Sequence, residues 1–249
     1  MSNHVKEFWE HQAEGYVGNY KDLRRGTNFN FRKRLEEVCT MTAGLRGSLL
    51  DCAIGTGEVT FSVLSDGRFS RALLVDVSEP MLETARRAAA GSPPLARAEF
   101  VCADAFEQLA TLRGAGFDLI LCLGLIAHTG RLEELLSLAA ACLAPGGSVI
   151  LQTSLLDHPG FHLLKILSAQ RHLEKKGYAM HYYHERDVLR AADLAGLKMV
   201  QRVRFGLGIP YGDRICAPVN YWLERAFAGP MSRHGCDAIY RLRKPDSAG

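Results

Sequence analysis

Leu50-Asp51-Cys52-Ala53-Ile54-Gly55-Thr56-Gly57-Glu58 joins a short apolar run, which begins at Ser48, to a helical stretch starting at Glu58. Small residues at such a junction let the backbone approach a ligand closely, and the helix start behind them offers free N–H groups to an anion. Alone, a glycine loop is a weak signal, and the acids around it sharpen it. Asp76 closes the next strand-like run, 25 residues after Asp51, near where a dinucleotide fold sets the acid that pairs with ribose hydroxyls. An ionised carboxylate only accepts hydrogen bonds and so suits a hydroxyl pair. Asp104 ends a third run, Ala98 to Asp104. Three acids at successive strand ends mark the edge where open α/β sheets bind ligands. A single acid at a strand end is equally a helix cap, and Asp104 admits both readings.

Outward from the loop, β-rich runs alternate with helical ones from residue 48 to residue 155. Ser78 is placed to cap a helix with Pro80 in its first turn and Gly91 at its end. A fourth strand is expected over Phe117–Gly124, a helix stopped by Pro145 and Gly146, and a fifth strand over Ser148–Leu155. This alternation predicts a parallel sheet with helices on both faces. Beyond it come a helical insertion over 156–182, a helix from His184 to Gly196, a strand over Leu197–Gly206, a second insertion over 207–235 and a last strand, Cys236–Lys244. Residues 1–47 read as an N-terminal helical cap, residues 48–155 as the core, and the whole as a single domain of 249 residues, long enough to build a core without staples.

The composition, 47% apolar and 23% charged, is that of an ordinary globular chain. A net charge of +3 is too small for a protein that lives on nucleic acid. Its distribution is uneven: from Lys198 onward nine basic residues face four acidic ones, a surplus of five that leaves the rest at −2. The seven cysteines have no metal-ligand spacing and read as reduced core thiols of a cytoplasmic protein. The first residues lack the apolar run of a signal peptide. The longest nearly uncharged stretch, Leu119–Gly130, is far short of the roughly 20 residues of a spanning helix.

Five segments in order, Leu50–Gly57, Val75–Leu82 (Val-Asp-Val-Ser-Glu-Pro-Met-Leu), Ala103-Asp104-Ala105, Phe117-Asp118-Leu119 and Leu143-Ala144-Pro145-Gly146-Gly147, resemble the motif series of class I S-adenosylmethionine-dependent methyltransferases. The resemblance covers residues 48–155. It implies a Rossmann-like three-layer α/β sandwich whose seven-stranded, mostly parallel sheet has its last strand antiparallel. It also implies S-adenosyl-L-methionine as cofactor. Carried over, it sets the methionyl end against Ala53, Gly55 and Gly57 and the ribose on Asp76. The adenine would lie between Val77 or Met81 and Asp104–Ala105, with Leu123 beside the methionyl group and Tyr16 closing over it. Ala53 stands where the family usually has glycine.

Methyl transfer needs alignment of acceptor and methyl above all, and a base only if the acceptor must lose a proton. His128, after the fourth strand, is the candidate base, since imidazole titrates near working pH. A histidine there is structural in many family members. No Asn/Asp-Pro-Pro-Tyr/Phe element follows Leu121, which argues against the amide- and base-amine-methylating branches and leaves oxygen or carbon acceptors, or an amine already nucleophilic. His158, His162, His172, His181 and His184 sit on the insertion over the acceptor side, where pocket-shaping outweighs a metal site, so none is expected. The resulting expectation is a methyltransferase acting on a small molecule, including lipid- or sugar-linked ones. A cofactor-binding regulatory module without catalysis and an RNA methyltransferase are the alternatives. Pro218–Leu223 with Arg225 and Phe227 leaves peripheral membrane contact open, and a homo-oligomer is open as well.

Overall fold

A computed structural model describes residues 26–157, 180–207, 212–227 and 229–246. Tyr16, Tyr178, His158, His162 and His172, and most of the first insertion, lie outside the described residues. The elements in chain order are α1 (Gly26–Thr42), β1 (Gly47–Asp51), α2 (Glu58–Leu64), β2 (Phe69–Asp76), α3 (Glu79–Ala89), β3 (Ala98–Cys102), α4 (Ala105–Thr111) and β4 (Phe117–Cys122). There follow α5 (Leu125–Thr129), α6 (Leu132–Cys142), β5 (Leu143–Ser154), α7 (Glu185–Leu194), β6 (Lys198–Phe205), α8 (Gly212–Phe227) and β7 (Asp237–Arg243).

The seven strands form one sheet in the order β3-β2-β1-β4-β5-β7-β6. β1 pairs in parallel with both β2 and β4, and β4 with β5. β7 slots between β5 and β6 and runs antiparallel to both, as the resemblance implies. Strand order reverses at β1, because β2 and β3 extend one way and β4 the other. That reversal is the switch point where the carboxyl edge opens into a crevice.

Side chains alternate across the sheet, and each face carries its own helices. Leu49, Leu74, Leu119 and Ile239 pack with Val38 and Met41 of α1, Val63 of α2 and Leu82 of α3. Leu50, Leu73, Ile120 and Tyr240 pack on the opposite face with Phe106 of α4, Leu135 of α6 and Val188 of α7. Coverage of both faces explains why the central strands read as continuous apolar runs. Arg241, toward the amino edge, donates from Nη1 to the carbonyl of Met41 at 3.1 Å, tying β7 to the end of α1.

Several boundaries depart from the sequence reading. α6 ends at Cys142, and Leu143–Gly147 already belongs to β5, with a register irregularity between Phe117 and Leu119 where Pro145 and the glycines pass. The C-terminal helix is kinked at Cys216, whose backbone is extended two residues before Pro218, because proline has no N–H for the preceding turn. α8 lies against α1, with the Phe29 and Tyr221 rings edge-on at 5.6 Å. It buries Asn220, Glu224 and Phe227 and leaves Val219, Trp222 and Leu223 exposed. Not every thiol is in the core: Cys52, Cys122 and Cys142 are buried, whereas Cys102, at the end of the outermost strand β3, and Cys216 are exposed.

Candidate active site

Gly57 carries the glycine loop into α2. Its φ of +93° is left-handed, and a Cβ there would stand 2.3 Å from the Phe61 ring, so only glycine fits. Gly55 is also left-handed, with φ +58°. The loop is held by β2 and β4: Ile54 N–H donates to Val75 C=O at 3.0 Å and Cys52 N–H to Leu121 C=O at 3.0 Å.

Two acids brace it from within. Asp51 is 1% exposed; its Oδ1 accepts from Ala53 N–H at 3.0 Å and its Oδ2 from the Thr60 hydroxyl of α2. Burial pushes its carboxyl up to about 6, against the lowering effect of those two hydrogen bonds. Asp76 accepts from Gly55 N–H at 2.8 Å on Oδ2 and from Ser78 N–H at 2.9 Å on Oδ1. Burial raises its carboxyl too, with the backbone donors opposing. Each carboxylate oxygen has a second lone pair, so Asp76 holds the loop and still has acceptor capacity toward the crevice.

The crevice is a cavity of about 340 Å³ at the carboxyl edge, within the size range of small-molecule sites. Of the residues singled out in the sequence, Ala53, Gly55, Asp76 and Val77 line it on one side, and Met81, Ala105, Leu123 and His128 complete that wall. Gly57 and Asp104 are not part of the lining. Gly57 acts through its conformation. Asp104 caps a helix: its Oδ1 accepts from Phe106 N–H at 2.8 Å and Glu107 N–H at 3.4 Å at the start of α4.

His128 sits in the one-turn helix α5. Burial and then the neighbouring His181 push its imidazole down to about 4, so it is neutral at physiological pH and a weak proton acceptor. His181 is anchored over it by its N–H to Ala127 C=O at 2.8 Å, its ring packed above Gly130. His184 pairs instead with Asp157, Nδ1 to Oδ1 at 2.7 Å. Among the described residues no three His, Cys, Asp or Glu side chains converge as metal ligands.

The far wall was missed in the sequence. Asn30, Phe31 and Arg34 of α1 line it, with Gln152 and Ser154 of β5 and Asp237 of β7. Arg34 Nη1 donates to Gln152 Oε1 at 3.3 Å, and the Ser154 hydroxyl to Asp237 Oδ1 at 2.6 Å. A signal existed: Gln152 and Ser154 are polar and two residues apart just after the buried apolar run Val149–Leu151, so they share a face.

Residues 49–147 match the family model described as a methyltransferase domain. Over those residues the chain carries a methyltransferase domain. No curated protein matches it in sequence. Among solved structures, the chain resembles one of the Haloferax volcanii complex between the Trm112 methyltransferase activator and a putative methyltransferase. That match has TM-score 0.66 and 15% identity, over 95% of this chain and 97% of that one. A S-adenosylmethionine-dependent methyltransferase of Thermotoga maritima gives TM-score 0.63 and 17% identity over 97% and 100%. The [4+2]-cyclase SpnF gives 0.61 and 17% over 86% and 81%. At these identities the likeness is one of fold.

Proposed function

We propose that this enzyme transfers the methyl group of S-adenosyl-L-methionine to a small-molecule acceptor at oxygen or carbon, chiefly by holding the two in line. The observation that carries the reading is one cavity with two unlike walls. The glycine loop, Asp76, Val77, Met81 and Ala105 form one, and Phe31, Gln152, Ser154, Phe205 and Asp237 belong to the other.

The residues fit the cofactor. Asp76 keeps acceptor capacity for a ribose hydroxyl pair, Val77, Met81 and Ala105 offer apolar surface to an adenine, and Ala53 and Leu123 flank the place for the methionyl end. When bound, S-adenosylmethionine supplies an electrophilic methyl on a sulfonium. The protein's part is orientation, worth on the order of 7–11 kcal/mol when two reactants are held in line. His128, neutral and weakly basic, packs beside the site and forms its wall.

Isothermal titration of S-adenosylhomocysteine tests the reading. Tight binding to the wild type and loss in Asp76→Ala support it, and no binding to the wild type overturns it. The cyclase neighbour favours a second reading, since the same fold hosts other chemistry. In that reading the chain binds the cofactor without transferring the methyl. Methylated product from any acceptor dismisses it.

The methyltransferase of the Haloferax complex was solved with a protein activator. For the present chain, the exposed Val219, Trp222 and Leu223 of α8 are the face we assign to a partner or a membrane surface. No helix among the described residues is long and apolar enough to cross a membrane.

A further inference from the structure

We infer that the far wall selects acceptors by a hydroxyl group, which donates a hydrogen bond to Asp237 beside Asn30, on a molecule whose body is apolar. The inference rests on the proposed function, with the acceptor as the occupant.

Topology puts Asp237 there. β7 is antiparallel, so its first residue lies at the same edge as the last residues of β5 and β6, in register with Ser154 and Phe205. Arg34 from α1 adds a favourable positive charge nearby. The carboxylate is unevenly used. Oδ1 accepts the Ser154 hydroxyl at 2.6 Å, while among the described residues Oδ2 has only the weak Cys236 thiol, at 3.8 Å. Asn30 Oδ1 is buried with no hydrogen-bond partner among the described residues. Buried acceptors left unmatched are costly and call for an explanation.

The corner between these groups is kept open by a glycine. Gly206 has φ +85°, and a Cβ on it would stand 2.9 Å from Cys236 Sγ and 3.5 Å from both Asp237 Oδ2 and Asn30 Nδ2. Asp237 Oδ2 at this corner is an acceptor and Asn30 brings its Nδ2 donor to the same place, so the matching ligand group both donates and accepts, as a hydroxyl does. Burial raises the Asp237 carboxyl against the Ser154 hydrogen bond and the nearby Arg34 charge, and an ammonium would have to be desolvated among the apolar lining, so a neutral hydroxyl is the matching group. Phe31, Phe205, Leu125, Ala127 and Met180 complete the cavity around it with apolar surface, suited to the rest of the molecule.

Phenol and toluene, equal in shape and differing by the donor, are the probes, titrated by calorimetry or amide chemical shifts against the full chain with and without S-adenosylhomocysteine. A hydrogen bond to a charged group predicts that phenol binds roughly ten- to hundredfold tighter than toluene. Asp237→Ala abolishes that preference and Asp237→Asn, which keeps the shape and one acceptor, reduces it, while S-adenosylhomocysteine affinity stays as in the wild type. Equal binding of the two probes, no phenol binding at millimolar concentration, or a preference that is undiminished in the folded Asp237→Asn protein overturns the inference. Failure of S-adenosylhomocysteine to bind overturns the proposed function instead, since the phenol preference is also read without it.

Discussion

Burial acts on Asp51 and His128 in opposite directions because it always disfavours the charged form. Asp51, pushed from 3.8 to about 6, holds its proton in the folded chain over a range in which the unfolded chain has released it. Folding stability attributable to this group therefore falls as pH rises through that window, by up to about 3 kcal/mol. Asp51→Asn removes the ionisation while keeping an acceptor for Ala53. Urea unfolding at about pH 4.5 and about pH 7 should show the variant gaining on the wild type by about 2–3 kcal/mol at the higher pH; a constant difference would refute the shift. For His128 the sign reverses. Its imidazole, lowered to about 4, makes the native state resist protonation, so its contribution is present above the ordinary value of 6.5 and is lost as pH falls toward 4. His128→Gln should lower kcat by less than tenfold, whereas loss of a general base costs roughly a hundredfold or more. These residues show what was legible at this scale. The sequence points to Ala53, Gly55, Asp76, Val77, Met81, Ala105, Leu123 and His128 through local motifs, and each lines the cavity. The state of His128 was not legible, because it depends on His181, brought over it by chain 53 residues away.

Elements inherit these constraints through their ends. α2 starts at Gly57 with no side-chain cap, and the helix follows directly from a left-handed residue. α4 starts at Asp104, whose side chain takes two N–H groups. The sequence allowed Asp104 both a ligand and a cap; capping is the use the structure shows, because the carboxylate lies one residue before a helix whose first donors have no other partner. Gly57→Ala forces a Cβ onto the Phe61 ring and a left-handed backbone on an L-residue, costing about 1–2 kcal/mol for the backbone alone. Thermal unfolding should show it well below the wild type, and weakened S-adenosylhomocysteine binding should accompany it. α8 gives the contrast: its Val219, Trp222 and Leu223 face outward, so Val219→Ser with Leu223→Ser should change monomer stability by no more than about 0.5 kcal/mol per site. A large loss would mean that this face is buried against a partner in solution.

At the scale of the molecule, the division of the site follows from strand order. The near wall comes from consecutive strand–loop–helix units, each readable from its own segment, laid side by side in the order β3-β2-β1-β4. The far wall has no such locality. Asp237 meets Ser154 across 83 positions and Arg34 meets Gln152 across 118; the insertion of an antiparallel β7 between β5 and β6 makes the first meeting, and the packing of α1 on the sheet makes the second. A strand-starting aspartate in a basic C-terminal segment carries no sign of that placement. The two walls should therefore respond separately to ligands. A ligand that binds only the folded state at a hundredfold its Kd adds about 2.7 kcal/mol of stability. In a chain of 249 residues that is a rise in Tm of roughly 5–11 °C. S-adenosylhomocysteine should produce this rise in the wild type and in Asp237→Asn, which alters only the far wall, and should fail to do so in Asp76→Ala. Loss of the rise in Asp237→Asn would mean that the walls are coupled, and that the cofactor and acceptor halves of the cavity form a single cooperative site.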